Sequence, residues 1–313
     1  MTLNGAIVRS ERNPILTPAD FSPGVNAVFN PGACAHDGGT LLLVRVEDRT
    51  GISRLVVATS PDGMGDWTVD ETRGLRPEPD RFEEHWGVED PRITQIDGTY
   101  YVVYTGYSEG GPLVCLATTE DFATFERHGV IIPPEDKDAA LFPHTFEGRW
   151  ALLHRPATAT AGLGAHVWLS WSPDLRYWGD GRIVLPARRG GWWDANKVGT
   201  GPPPLCTDEG WLLCYHGVRV TASGSLYRVG LALLDLDDPT RVLRRHPTWI
   251  LAPRAVYERS GDVPNTVFPC GIVHDDASGE VRLYYGGADC TICLATARLD
   301  DLLDAVLTAP AGD

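Results

Sequence analysis

The first eighteen residues, MTLNGAIVRSERNPILTP, lack what a secretory leader or a membrane span requires. Their longest apolar run is three residues, and Arg9, Glu11, Arg12 and Pro14 interrupt the rest. No longer span follows, so neither export nor membrane insertion is expected. Positive charge is scarce as well: 27 Lys and Arg stand against 42 Asp and Glu, a formal net charge of −15. Such a field repels nucleic acid and anionic membrane, so neither is an expected partner. A small neutral molecule is easier to accommodate, and any anion would need a local cluster of Arg, Lys or His to overcome the background. Amphipathic helical periodicity is almost absent, which turns the fold reading toward strands. Seven cysteines are an odd number in a chain without an export signal, which favours reduced thiols and the cytoplasm. Cys290 and Cys293 form one C-x-x-C with no second pair to complete a zinc site, and no metal motif appears elsewhere. They read as core thiols, and no metal or organic cofactor is expected.

What the chain does have is repetition. A glycine followed by an apolar and aromatic strand occurs five times, in GTLLLVRVED, GTYYVVYTGY, GRWALLHRP, GWLLCYHGV and GEVRLYYGGAD, beginning at Gly39, Gly98, Gly148, Gly210 and Gly279. Pro31, Pro91, Pro143, Pro203 and Pro269 precede these glycines by five to ten residues, each in its own short segment. A third strand follows each time, and several run into Asp and then an aromatic: Asp62 to Trp67, Asp121 to Phe125, Asp174 to Trp178. Asx hydrogen bonding in a repeated turn explains those aspartates. Five small antiparallel sheets recurring as groups suit radial repetition better than a sandwich, so the fold expected is all-β, a single five-bladed β-propeller domain over 1–313.

In a propeller the first strands line the axis and the site lies at one mouth of the channel. HWGVEDPRIT, residues 85–94, then stands out, because strands disfavour Asp and Pro. Beside the prolines stand Asn30, Glu89, Asp90 and Arg92. The second strands end in Arg45, Glu47 and Asp48, in Tyr104, in His154 and Arg155, in Tyr215 and His216, and in Tyr285 and Asp289. Singly each reads as an ion pair or a solvated side chain. Together they mark the same end of otherwise apolar strands.

These segments carry a family resemblance. FNPG, VRVEDRTG, VEDPRI, KDAALFP, HRP, WWDANKVGTGPPPL, GWLLCYHGV, NTVFPCG and YYGGAD, in this order from about Asn26 to Asp300, resemble glycoside hydrolase family 130, the β-mannoside phosphorylases and their hydrolase relatives. The resemblance implies a five-bladed propeller. It also implies inverting cleavage of a β-mannosidic bond with inorganic phosphate as nucleophile and co-substrate, releasing α-mannose 1-phosphate. An ordinary inverting glycosidase needs an acid and a base. Phosphate is already anionic, so one acid suffices and its partners should be cations.

By the same resemblance Asp90 of the E-D-P-R motif is the general acid, passing its proton through a sugar hydroxyl. That role expects a carboxyl protonated at neutral pH through burial or a neighbour such as Glu89, with Arg92 orienting it. Arg45, Arg155, Lys197, His216 and Tyr215 are carried over as phosphate ligands. Asn30, Asp48, Arg92, Tyr104, Lys137 and Asp289 are carried over as substrate-binding groups, Lys137 lying close to the phosphate set. Trp86, Trp192 and Trp193 suit either stacking on a sugar or packing in the sheets. Expected substrates are β-1,2- or β-1,4-linked manno-oligosaccharides or mannosyl-glucose and mannosyl-N-acetylglucosamine, and a homo-oligomer that closes the site is compatible with this. Two alternatives stand beside it: an inverting β-mannosidase, with Glu47, Asp48 or Glu89 holding a water opposite Asp90, and a non-catalytic sugar-binding propeller.

Overall fold

The computed structural model describes residues 7–157 and 164–310; Met1 to Ala6 of the opening stretch lie outside that range. The chain is all-β. Among the described residues its strands form four sheets, none closed on itself, and because the largest joins two antiparallel groups the strands can be followed as five units in sequence order. The first unit holds Val25–His36, Gly39–Asp48, Ser53–Ser60 and Thr68–Asp70. The second holds Gly87–Ile96, Thr99–Ser108, Gly111–Thr119 and Glu126–Ile132, and one parallel bridge from Ser53 to Gly87 joins it to the first. Asp136–Phe146, Arg149–Pro156, Val167–Ser172 and Gly179–Leu185 make the third. The fourth is Lys197–Thr200 with Leu205–Thr207, then Gly210–Thr221, Gly224–Leu234 and Val242–Arg245. The fifth is Val267–Asp275, Glu280–Gly287 and Thr291–Arg298, and its outer strand is Val8–Arg9 from the other end of the chain. Arg9 is pinned there by Glu258 at 2.8 Å. The sequence pattern gave no sign of this long-range pairing, because two residues carry no period.

The first three units share a local device between their first and second strands. Asp37-Gly38, Asp97-Gly98 and Glu147-Gly148 take positive φ at both positions (49° and 76°, 49° and 84°, 50° and 75°), as a type I′ hairpin turn requires. The turn glycine of the first unit is therefore Gly38, one ahead of the Gly39 that marks the strand in the sequence. A second device recurs in the first strands. Between Phe29 and Gly32, Glu89 and Arg92, and Lys137 and Ala140, three residue steps face two on the partner strand, which is a bulge of one extra residue. Asn30, Asp90 and Asp138 occupy these bulges with φ of 49°, 48° and 55°. In the third unit the counterpart of Pro91 is thus the residue after Asp138, not Pro143.

The bulge answers the puzzle of Asp and Pro inside a strand. Pro91 sits where the ladder is already interrupted and no N–H is needed. Asp and Asn tolerate the left-handed region better than other side chains, and the bulge turns them off the regular alternation. Apolar side chains between units form the cores, as where Leu153, Val167 and Leu169 of the third meet Leu213, Ala232 and Leu234 of the fourth. The first strands of the first four units contact one another in unit order, and the fifth unit's first strand meets Gly210–Thr221 and Gly224–Leu234 of the fourth and returns to Val25–His36. The same end of every unit therefore faces a common centre.

Candidate functional site

At that centre lies a cavity of about 170 Å³ lined by all five units: Asn30 and Arg45, Asp90, Lys137, Asp138 and Arg155, Lys197, His216 and Tyr227, and finally Phe268 and Asp289 with Val263 and Thr266. A larger surface hollow of about 590 Å³ beside Trp192 and Trp249 draws on fewer units and is lined by Arg189, Arg219 and Arg228 with no carboxylate.

One wall holds the acid. Asp90 is 2 % exposed. Its Oδ1 accepts hydrogen bonds from Arg45 Nη1 at 2.9 Å and Asn30 Nδ2 at 2.9 Å. Both donors take the same oxygen, so Oδ2 is the one left to face the cavity. Arg45 also donates from Nη2 to Glu89 at 2.9 Å and from Nε to Ser53 Oγ at 2.9 Å, with Glu47 at 3.4 Å. Burial acts to raise the Asp90 carboxyl, but the Arg45, Lys137 and Arg92 charges and the Asn30 hydrogen bond outweigh it and hold it below the usual range. This differs from the expectation of a protonated Asp90: in the ligand-free protein it is a carboxylate. Burial does raise Glu89, against the pull of Arg45 and Lys137, and it pushes Asp289 to about 7, helped by the charge of Asp90. Among the described residues Asp289 has no hydrogen-bond or ion-pair partner, and its Oδ1 is buried.

The other wall holds cations. Arg155 donates from Nε to Asp138 Oδ2 at 2.7 Å, and His216 Nε2 lies 3.4 Å from the same oxygen. Lys197 Nζ donates to Tyr227 Oη at 2.9 Å. Lys137 has no hydrogen-bond partner among the described residues. Burial lowers its ammonium, yet Asp90, Glu89 and Asp138 together raise it above the ordinary value, so it stays charged. His216 does not belong with the cations: burial pushes its imidazole down to about 4 despite Asp138, leaving a neutral ring at pH 7. Four cations remain, Arg45, Lys137, Arg155 and Lys197.

Eight residues singled out in the sequence thus meet in one cavity: Asn30, Arg45, Asp90, Lys137, Arg155, Lys197, His216 and Asp289. Four others carried over as ligands do not line it. Tyr215, next to His216, points to the opposite face because side chains alternate along a strand; its hydroxyl donates to Asp194 at 3.0 Å and its ring stacks on Trp193 at 5.7 Å. Tyr104 is buried and donates to Glu84 at 2.7 Å. Asp48 caps a turn, accepting from the backbone of Thr50 at 2.7 Å and Ile52 at 3.2 Å. Arg92, 1 % exposed, lies beneath the cavity and donates to the backbone carbonyls of Asp90 at 2.7 Å and of Thr200 and Gly201 at 3.3 Å each. It holds the Asp90 backbone and not its carboxylate. Of the tryptophans, Trp193 is core, while Trp192 and Trp86 are 42 % and 45 % exposed and line no part of this cavity.

Asp138, Tyr227 and Phe268 were missed in the sequence. Asp138 is the one with a signal, since it follows Lys137 in KDAALFP, but only the shared bulge equates it with Asp90. The seven cysteines are all unpaired; five are buried, Cys293 among them as expected, Cys206 is exposed, and Cys290 is half-buried and so is not the core thiol expected. Among the described residues there is no cluster of three or more His, Cys, Asp or Glu able to hold a metal, and no helix long and apolar enough to cross a membrane.

Residues 9–308 match the sequence model of the glycoside hydrolase 130 family, described as beta-1,4-mannooligosaccharide phosphorylase. A 1,2-beta-oligomannan phosphorylase of Thermoanaerobacter sp. is 37 % identical over 94 % of this chain and 98 % of its own. A beta-1,4-mannooligosaccharide phosphorylase of Ruminococcus albus is 32 % identical over 96 % and 90 %. Among solved structures, the beta-1,2-mannobiose phosphorylase of Listeria innocua in complex with beta-1,2-mannobiose superposes with a TM-score of 0.88 at 33 % identity, covering 97 % of this chain and 99 % of that one.

Proposed function

The chain belongs to glycoside hydrolase family 130, and on that premise we propose that it is a single-domain, five-bladed propeller enzyme that cleaves β-mannosides by inverting phosphorolysis. The observation that carries the reading is the cavity itself. In a chain of net charge −15, the cavity gathers four cations, Arg45, Lys137, Arg155 and Lys197, against the three carboxyls Asp90, Asp138 and Asp289. Such a gathering suits a small anion beside a neutral sugar.

Phosphate binds between Lys137, Arg155 and Lys197, and the mannosyl ring lies between phosphate and Asp90, held by Asn30 and Asp289. A phosphate dianion bound to the opposite wall offsets the cations that keep the Asp90 carboxyl ionised, so substrate binding itself raises that carboxyl and loads Oδ2 with a proton. Asp90 then passes this proton to a mannosyl hydroxyl, and the hydroxyl's own proton goes to the glycosidic oxygen. A phosphate oxygen attacks C1 from the opposite face as the C1–O bond breaks. The products are α-mannose 1-phosphate and the mannoside shortened by one unit. No base is required, and inorganic phosphate is a co-substrate rather than a cofactor. The relatives divide between β-1,2 and β-1,4 linkages, so both remain in the proposed substrate class. The unpaired cysteines suit a reducing compartment, and we place the enzyme in the cytoplasm.

Hydrolysis is the competing reading, and one observation favours it. Asp289 stands unpaired in the cavity near pH 7 in its titration, as a base that activates water would. Glu47 and Glu89 are committed to Arg45, and Asp48 to its turn. The test is to incubate the protein with β-1,2- and β-1,4-manno-oligosaccharides with and without phosphate. Phosphorolysis gives α-mannose 1-phosphate and stops when phosphate is removed; equal turnover in phosphate-free buffer makes the enzyme a β-mannosidase.

A further inference from the structure

Asp138 poses an electrostatic problem, because it places a buried carboxylate in the very wall that would bind phosphate. It is 1 % exposed, and the Arg155 and His216 partners hold it well below the usual carboxylate range against its burial. Its backbone sits in the left-handed region at φ 55°, at the bulge position that Asn30 and Asp90 fill in the first two units. One oxygen, Oδ2, accepts from Arg155 Nε at 2.7 Å and lies 3.4 Å from His216 Nε2. The other, Oδ1, has no hydrogen bond and lies 3.8 Å from Arg92 Nη2. Arg155 Nη1 and Nη2 donate to no other group among the described residues. The fourth unit leaves room for this contact through Gly199, where a Cβ would fall 2.5 Å from Asp138 Oδ2 and 2.4 and 2.6 Å from His216 Cε1 and Nε2.

We infer that Asp138 is a positioning residue for phosphate: by taking Arg155 through Nε it keeps the Nη pair turned to the cavity as a fork, and by taking His216 through Nε2 it fixes the ring beside it. An arginine held only by its own stem would lose this orientation, and the bidentate geometry that oxyanions favour would go with it. The inference rests on the phosphorylase reading above and deepens it.

The sign of the effect separates positioning from plain charge. Removing a carboxylate that only adds negative charge should tighten phosphate binding. Removing one that positions Arg155 should weaken it. Asp138→Asn is the probe, because asparagine tolerates the same left-handed backbone and keeps the volume. Expected is a rise of about tenfold or more in KM for phosphate, the size of one charge-assisted hydrogen bond, with KM for the mannoside nearly unchanged. Gly199→Ala, which pushes the Asp138–His216 contact apart from the facing strand, is expected to raise KM for phosphate in the same way; it carries the test if Asp138→Asn does not fold. An unchanged or lowered KM for phosphate in a folded variant overturns the inference while the phosphorylase reading stands. Wild-type turnover that needs no phosphate overturns both, and is seen before any variant is made.

Discussion

The two walls of the cavity are built from the same kind of bulge and differ in how far their polar groups are satisfied. On the side of the first two units, Asp90 and Glu89 share Arg45, and Asn30 completes the set, so one oxygen of Asp90 is locked and only the other is open. On the side of the third and fourth units Arg155 spends one of its donors on Asp138, and Lys137 spends none among the described residues. A closed network fixes a proton donor in place; an open one keeps donors in reserve for a ligand. Asp90 and Arg155 are both buried, at 2 % and 5 % exposure, so burial alone would not have told the two networks apart.

The largest way to break the contrast is Asp90→Asn. Asparagine keeps the φ of 48° and the Asn30 and Arg45 neighbours but has no proton to give. Loss of a general acid lowers kcat by about 10²–10⁴-fold, and phosphate should still bind when measured by calorimetry; retained turnover would remove Asp90 from the chemistry. A smaller effect sharpens the electrostatics. The Asp289 carboxyl titrates near 7 when folded against 3.8 ordinarily. Between about pH 4 and 7 the folded state therefore keeps a proton that the unfolded chain has released, and this group costs stability progressively as pH rises through that window. Asp289→Asn should remove the slope, so that the Tm of the variant gains on wild type from pH 4 to pH 7; parallel Tm curves would show that Asp289 is not perturbed. Smallest for activity is Tyr215→Phe. The hydroxyl bonds Asp194 and receives Arg245 Nε at 3.1 Å; its loss should cost about 1–2 kcal/mol in denaturant unfolding and leave kcat/KM for phosphate unaltered. A large rise in that KM would return Tyr215 to the phosphate set.

The misplacements share a cause. His216 and Tyr215 stand one residue apart, and motif order alone carried both into the cavity, although the strand's alternation sends only one there. Asp48 closes its strand and Tyr104 lies in the middle of Thr99–Ser108, one spent on a turn and the other on Glu84. Asp138 has the opposite character: proline follows the bulge residue in the first two units, at Pro31 and Pro91, and the third unit builds its bulge without one.

The sequence by itself determined the all-β character, the repeat, the residues whose order marks the family and most of the charged groups at its centre. Those follow from local rules, since hairpin turns, period-two alternation and motif order are all written along the chain. Tertiary structure alone decided which carboxyl is ionised, that His216 is neutral, that Arg92 grips a backbone instead of a ligand, and that Val8–Arg9 completes the last sheet. Each of these depends on groups brought within a few ångströms from units far apart in sequence, where burial and neighbouring charge set the balance, and no local pattern records that distance.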